Sequence, residues 1–145
     1  MKIHIGTDHA GFELKNKLVE YLNELGHDIT DHGAFSYDST DDYPDFVTPV
    51  AHAVSMDMNS FGIVLGGSGQ GEAMNANRFE EVRAIEYYGG EIEIVKLGRE
   101  HNNANVLSLG ARFVSDEEAR EAVKVFLETE FSGDERHIER LSKFS

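Results

Sequence analysis

The chain contains no cysteine. Disulfides and thiolate metal ligands are excluded, and so is a cysteine nucleophile or base, which narrows the chemistry open to any proton transfer. Basic residues are scarce as well, with 13 Lys and Arg against 27 Asp and Glu and a formal net charge of −14 at pH 7. A surface of that sign repels phosphodiester backbones and anionic headgroups, so neither nucleic acid nor a membrane is expected as a partner. Long apolar runs are also missing. The start, Met1-Lys2-Ile3-His4-Ile5-Gly6, has no basic stretch leading into an apolar one, and nothing approaches membrane-spanning length. These features point to a soluble, cytoplasmic protein with one domain over residues 1–145, long enough for a core that needs no staples.

Hydrophobic periodicity supplies the fold class. Residues 2 to 7 read as a strand, followed by Leu14, Leu18, Leu22 and Leu25 at helical spacing until Gly26 stops them. His27 to Asp31 reads as a second strand. Pro44 to Met56 places Phe46, Val47, Val50, Ala51 and Val54 on one helical face, with Pro49 inside as a possible bend. Phe61 to Leu65, Val82 to Tyr87 and Asn105 to Leu109 read as further strands, with a helix from about Glu72 to Phe79. The segment after Gly89-Gly90 is assigned as helix, although Ile92, Ile94 and Val95 fit a strand equally well. Ser115 and Glu118 have capping-box spacing ahead of a helix from Asp116 to Glu130, and a last helix covers about Glu135 to Lys143. Strands alternating with helices predict a parallel sheet covered on both faces, an α/β fold, with ligands beyond the carboxyl ends of the strands.

At one such end the apolar run Phe61 to Leu65 empties into Gly66-Gly67-Ser68-Gly69-Gln70-Gly71-Glu72. Glycine reaches positive φ and carries no side chain, so Gly67, Ser68, Gly69, Gln70 and Gly71 can turn their N–H groups into one anion-binding concavity. A nucleotide P-loop would need Gly-Lys-Ser/Thr where Gly71-Glu72 stands, and the dinucleotide fingerprint fails on spacing. A developing oxyanion on a small substrate fits, with Glu72 as base. A tight turn with no ligand, and Glu72 as an ordinary first-turn acid, fit the same residues.

The other candidates are scattered along the chain. Asp8 and His9 follow strand one and Arg112 follows strand five, on the glycine turn's side of the sheet. His101, in the polar stretch Arg99 to Asn105, could relay a proton near pH 7 or be a plain surface histidine. It precedes strand five, which puts it on the wrong side of the sheet unless it serves another subunit's site. Arg136 and Arg140 share a helical face with His137 beside them, and with Arg112 they could grip one phosphate. They could equally neutralise Asp134, Glu135 and Glu139. His27, Asp28, Asp31 and His32 do not converge as ligands on a strand, so no metal is expected.

Taken together and in order, Asp8-His9-Ala10-Gly11, Asp42-Tyr43-Pro44-Asp45, the glycine turn with Asn75-Ala76-Asn77 behind it, Arg99 to Asn103, and Arg136-His137 carry a family resemblance. The set resembles the type B ribose 5-phosphate isomerases and the related galactose 6-phosphate isomerase subunits. The resemblance implies a three-layer α/β/α sandwich on a five-stranded parallel sheet. It also implies a homodimer, or a pair of such dimers, with sites shared between subunits, and aldose–ketose isomerisation through an enediolate without metal or other cofactor.

Many members of that family use a cysteine as base where this chain has Gly66, whereas one branch carries a glutamate just after the turn, as Glu72 does. By resemblance Glu72 is the base and His101 the acid that opens the sugar ring. Asp8, His9 and Asn102 contact substrate, Gly67, Ser68, Gly69, Gln70 and Gly71 hold the enediolate oxygen, and Arg112, Arg136 and Arg140 hold the phosphate. The helix at about 135–143 then reaches the partner subunit. The stretch Tyr87 to Leu97 departs from the family pattern. Tetrose or hexose phosphate as substrate, or a non-catalytic sugar-phosphate-binding subunit, are the competing readings.

Overall fold

The computed structural model describes residues 1–144. Strand β1 (Lys2–Thr7) runs through a 3-10 turn at His9–Gly11 into helix α1 (Phe12–Glu24), where Leu14, Leu18 and Leu22 form the buried face. Burying one such leucine is worth about 1.5–3 kcal/mol. Gly26, at φ 85°, ends the helix in the left-handed conformation that costs glycine least, and His27 N–H closes back onto Leu22 O at 3.1 Å.

Strand β2 (Asp28–Asp31) follows, then a long loop and helix α2 (Pro44–Met56), which opens on Pro44 and continues through Pro49. Strand β3 (Ser60–Gly66) delivers the glycine turn and helix α3 (Gln70–Ala76). Strand β4 (Ala84–Tyr87), helix α4 (Glu93–Asn102), strand β5 (Val106–Gly110), helix α5 (Asp116–Glu128) and helix α6 (Glu135–Ser142) complete the order. Ser115 and Glu118 form the expected capping box on α5.

The five strands form one parallel sheet in the order β2-β1-β3-β5-β4. One face carries Ile3, Ile5, Ile63, Leu65, Leu107 and Leu109 against α1 and α5, where Phe126 is fully buried. The other carries Val64 and Val106 against Val47, Val50 and Val54 of α2. The three-layer α/β/α sandwich is therefore as expected. Because β1 continues to β2 on one side while β3 pairs on its other side, the topological switch lies between β1 and β3, where a parallel sheet opens a crevice for ligands.

Several boundaries differ from the sequence reading. Helix α3 starts at Gln70, earlier than expected, because Gly69 at φ 81° turns the chain directly into it. It stops at Ala76, and Asn77 then holds the backbone of Ala84 with two side-chain bonds, 2.8 Å to its N–H and 3.1 Å to its carbonyl, so β4 begins at Ala84 rather than Val82. The ambiguous segment after Gly90 is helical from Glu93, with Val95 buried and Ile94 exposed as one helical face requires.

Candidate active site

The glycine turn is pinned onto the end of β5. Ser108 Oγ donates to Gly69 O at 2.6 Å, while the N–H groups of Ala111 and Arg112 donate to Gly66 O at 2.8 Å and Gly67 O at 3.1 Å. A Cβ on Gly110 would lie 2.6 Å from Ser68 O, so glycine here is what lets the two segments approach so closely. Tyr43, at the start of α2, lays its hydroxyl against Gly71 from the other side. The turn is therefore a rigid feature at the switch point.

Glu72 lies in the first turn of α3 with only 4 % of its surface exposed, and its carboxylate folds back over the Cα of Gly66. A side chain on Gly66 would occupy the same space as that carboxylate. N–H groups at a helix terminus stabilise the anion, whereas burial disfavours it. Burial prevails and pushes the Glu72 carboxyl up, its own backbone N–H pulls down less, and Asp8 and Glu86 add repulsion that raises it further. A carboxylate made more basic in this way is suited to taking a proton from carbon.

Asp8 and His9 arrive from β1 beside this group. Asp8 is buried, accepts Ala10 N–H at 3.0 Å and caps the 3-10 turn, and burial raises its carboxyl too. His9 donates its backbone N–H to Asp41 Oδ1 at 3.0 Å and sets its ring Nδ1 2.7 Å from the same oxygen, which raises the imidazole. Arg112 extends over the turn: a Cβ on Gly67 would sit 3.1 Å from its Nη1. The structure thus gathers Asp8, His9, Gly67, Ser68, Gly69, Gln70, Gly71, Glu72 and Arg112 at one end of the sheet.

His101, Asn102, Arg136 and Arg140 are elsewhere in the same chain. His101 ends α4 just before β5 begins, at the amino end of the sheet, and the length of β5, about 13 Å at 3.3 Å per residue, separates that end from the turn. There the His101 ring stacks on His137, with centroids 4.3 Å apart, so α6 brings Arg136 and Arg140 to His101. His137 is buried, and desolvation lowers its imidazole with help from His101. Arg112, expected to share one anion with Arg136 and Arg140, lies at the glycine-turn end of the sheet, while those two lie at the other end of the same chain. The candidate site comes as two halves.

Asp8, His9 and Asp41 bring one ligand atom each within 4.8 Å of one another, a set not considered from sequence. Within it Asp8 Oδ1 accepts Ala10 N–H and Asp41 Oδ1 receives two donors from His9, so these contacts read as a hydrogen-bond network. Of the residues weighed as ligands, Asp31 binds the buried Lys15 at 2.9 Å and His32 pairs with His4 at 2.9 Å.

Sequence reasoning passed over Tyr43, Asp41 and His137 as site residues. Tyr43 sat in a quoted motif, and Pro44 at the first helical position signalled that its side chain would be fixed there.

A profile of the ribose/galactose isomerase family matches residues 3–144. The chain is 43% identical over 141 residues to ribose-5-phosphate isomerase B of Mycolicibacterium paratuberculosis, covering 97% of this chain and 87% of that one. It is 38% identical over 140 residues to ribose-5-phosphate isomerase B of Escherichia coli, covering 97% and 91%. A crystal structure of ribose-5-phosphate isomerase B from Mycoplasma genitalium with bound ribulose-5-phosphate superposes with a TM-score of 0.93 at 38% identity, covering 98% of this chain and 92% of that one.

Proposed function

This chain belongs to the ribose/galactose isomerase family, and on that premise we propose that it interconverts ribose 5-phosphate and ribulose 5-phosphate with Glu72 as the base. The observation that carries the reading is the Glu72 carboxylate, buried, made more basic by that burial, and folded over Gly66 at the switch point. From there it takes the proton at C2 of the open-chain aldose as negative charge moves onto the carbonyl oxygen at C1. The N–H groups of Gly67 to Gly71 face that charge, and one well-placed donor of this kind contributes about 3–4 kcal/mol to the transition state. The same carboxyl returns the proton to C1 on the same face of the planar enediolate, while the hydroxyl hydrogen at C2 passes to the oxygen at C1, leaving a ketone at C2 and a hydroxyl at C1. Atoms balance with no redox cofactor.

The second half-site completes the reaction if two chains pair as a homodimer. His101 of one chain then serves the ring oxygen of a sugar bound over the other chain's Glu72, with Asn102 beside it and Arg136 and Arg140 on the phosphate. The support is geometric: the halves lie at opposite ends of one sheet, and each lacks what the other holds. Asp8 and His9 contact the substrate and Arg112 supplies a third cation for the phosphate. Phosphate binding holds the reacting carbons against the base. A phosphate dianion does not cross a bilayer unaided, so the activity belongs in the cytoplasm with the cell's other sugar phosphates.

The test is turnover of purified protein against tetrose, pentose and hexose phosphates of both aldose and ketose form. Ribose 5-phosphate is expected to give the highest kcat/KM, and a higher value with a hexose or tetrose phosphate would reassign the substrate while keeping the mechanism.

A further inference from the structure

We propose that Asp41 is the positioning residue for His9, holding the ring with its Nε2 edge presented to the cleft beside Arg112, and that it thereby sets the affinity for the phosphate end of the substrate. The inference rests on the reading of the cleft as a sugar-phosphate site and adds to it a residue from outside the two half-sites.

Asp41 lies in the loop between β2 and α2, just ahead of Tyr43. That loop is organised by Asp38, whose carboxylate accepts the N–H and hydroxyl of Thr40 and whose carbonyl accepts Asp41 N–H at 3.1 Å. Asp41 Oδ1 then receives both the backbone N–H of His9 at 3.0 Å and the ring Nδ1 at 2.7 Å. One oxygen thus fixes where the residue starts and which way its ring turns. With Nδ1 committed as a donor, Nε2 is the free edge, and it makes no hydrogen bond among the described residues.

The other carboxylate oxygen, Asp41 Oδ2, is buried without a hydrogen-bond partner among the described residues, and the Asp41 side chain is only 9% exposed. An ionised carboxylate left half-satisfied out of water is costly unless a full positive charge stands against it. A neutral imidazole does not supply that charge. An imidazolium does, so the geometry selects the doubly protonated ring, with Nε2–H pointing at whatever anion enters the cleft. The charged groups facing His9 are Asp8 from the end of β1, Asp38 and Asp41 from the loop, and Arg112 from the end of β5, with Tyr37 edge-on at 6.2 Å. Three carboxylates against one guanidinium favour the cation, and the Asp41 bond contributes most to raising the imidazole.

Asp41 itself does not touch the substrate. It makes His9 the second cation of a pair with Arg112, which is the arrangement a phosphate dianion requires.

The experiment measures kcat and KM for ribose 5-phosphate, and competitive inhibition by inorganic phosphate, for wild type, Asp41→Asn and Asp41→Ala at pH 6 and pH 8. It is joined to a 15N titration of His9 in the wild-type protein. Asp41→Asn keeps the shape and removes the charge, so KM and the phosphate inhibition constant should rise about tenfold at pH 8, with kcat within about twofold, and by less at pH 6, where His9 is protonated without help. His9 in the wild type should titrate above the ordinary imidazole range, and on losing a proton it should keep the one on Nδ1. Unchanged phosphate binding at pH 8, an equal loss at both pH values, or a wild-type His9 titrating at or below the ordinary range would overturn the proposal. Absence of ribose 5-phosphate turnover in the wild type would instead refute the substrate reading, and the phosphate competition, followed by NMR, would still decide the role of Asp41.

Discussion

The carboxylate of Glu72 occupies the space where a side chain on Gly66 would stand. The two residues are adjacent in the fold because β3 ends, the chain turns through Gly69 at φ 81°, and the first turn of α3 leads back over the strand. Glycine at 66 and glutamate at 72 are thus one device, and neither is independent of the other.

Gly66→Ala tests that device directly. The added methyl meets the far end of a flexible side chain and not backbone, so Glu72 can swing aside and the fold should survive, with Tm lowered by a few degrees at most. Catalysis should not survive the displacement, because a base moved by an ångström or more loses its alignment with the C–H bond. A fall in kcat of about 100-fold, with a smaller change in KM, is expected from steady-state kinetics. Wild-type kcat in a folded Gly66→Ala protein would show that the carboxylate position seen here is not the reactive one.

Glu72→Gln separates chemistry from stability. The amide keeps the shape and loses the basicity, so kcat should fall by about 10²–10⁴ while sugar phosphate still binds, as titration calorimetry would show. Stability should move the other way. The folded-state carboxyl is raised above its ordinary 4.5, so ionisation favours the unfolded chain, and this group's contribution to stability is lost as pH rises through the raised value. The glutamine variant should therefore melt above wild type at pH 8, and the two should converge near pH 4. A variant less stable than wild type at pH 8 would mean that Glu72 is better solvated than its burial indicates.

The histidine pair at the edge of the sheet gives the opposite pH signature. His4 and His32 share one hydrogen bond at 2.9 Å, and burial lowers both imidazoles below their ordinary 6.5, with His32 repelling His4. Above pH 6.5 neither state takes up the proton and nothing is lost. Below it the unfolded chain binds protons that the folded pair refuses, and stability falls through the lowered values. His4→Gln should cost about 1 kcal/mol at pH 7.5 through the lost bond, and should flatten the decline in Tm between pH 7.5 and 5. The decline should shrink without vanishing, since His27 and His137 are lowered as well. An unchanged slope would move the acid sensitivity away from this pair.

How far the sequence led depended on whether a feature was local. Helix α2 opens on Pro44 and α5 on the Ser115–Glu118 box, and both starts were legible because a few adjacent residues determine them. The start of β4 was not, since it depends on the side chain of Asn77 holding the backbone of Ala84 across a turn. Within the site, the glycine turn and Glu72 stood out as one continuous stretch, whereas Tyr43 against Gly71 and Asp41 against His9 are contacts between segments that only the folded loop brings together. The balance at Glu72 was equally hidden. Helix position and burial act in opposite senses on its carboxyl, and only the packed structure shows that burial is the larger.

The separation of the half-sites within one chain leads to a test of pairing. Glu72 belongs to the carboxyl end of the sheet, and Arg136 belongs to the amino end through the stacking of His137 on His101. If the working site takes Glu72 from one chain and Arg136 from its partner, then Glu72→Gln and Arg136→Ala proteins should each be nearly inactive alone. Arg136 itself is two-thirds exposed, with its Nε 3.5 Å from Asp134, so its removal should leave the fold intact. Mixed and allowed to exchange subunits, the two proteins form heterodimers in which one site collects both defects and the other collects neither. Two-fold symmetry then restores about half of the sites in every heterodimer. Activity should appear with the time course of subunit exchange, followed in parallel by native mass spectrometry. If heterodimers form and no activity returns, base and arginine act from the same chain, and the second half-site does not complete the first.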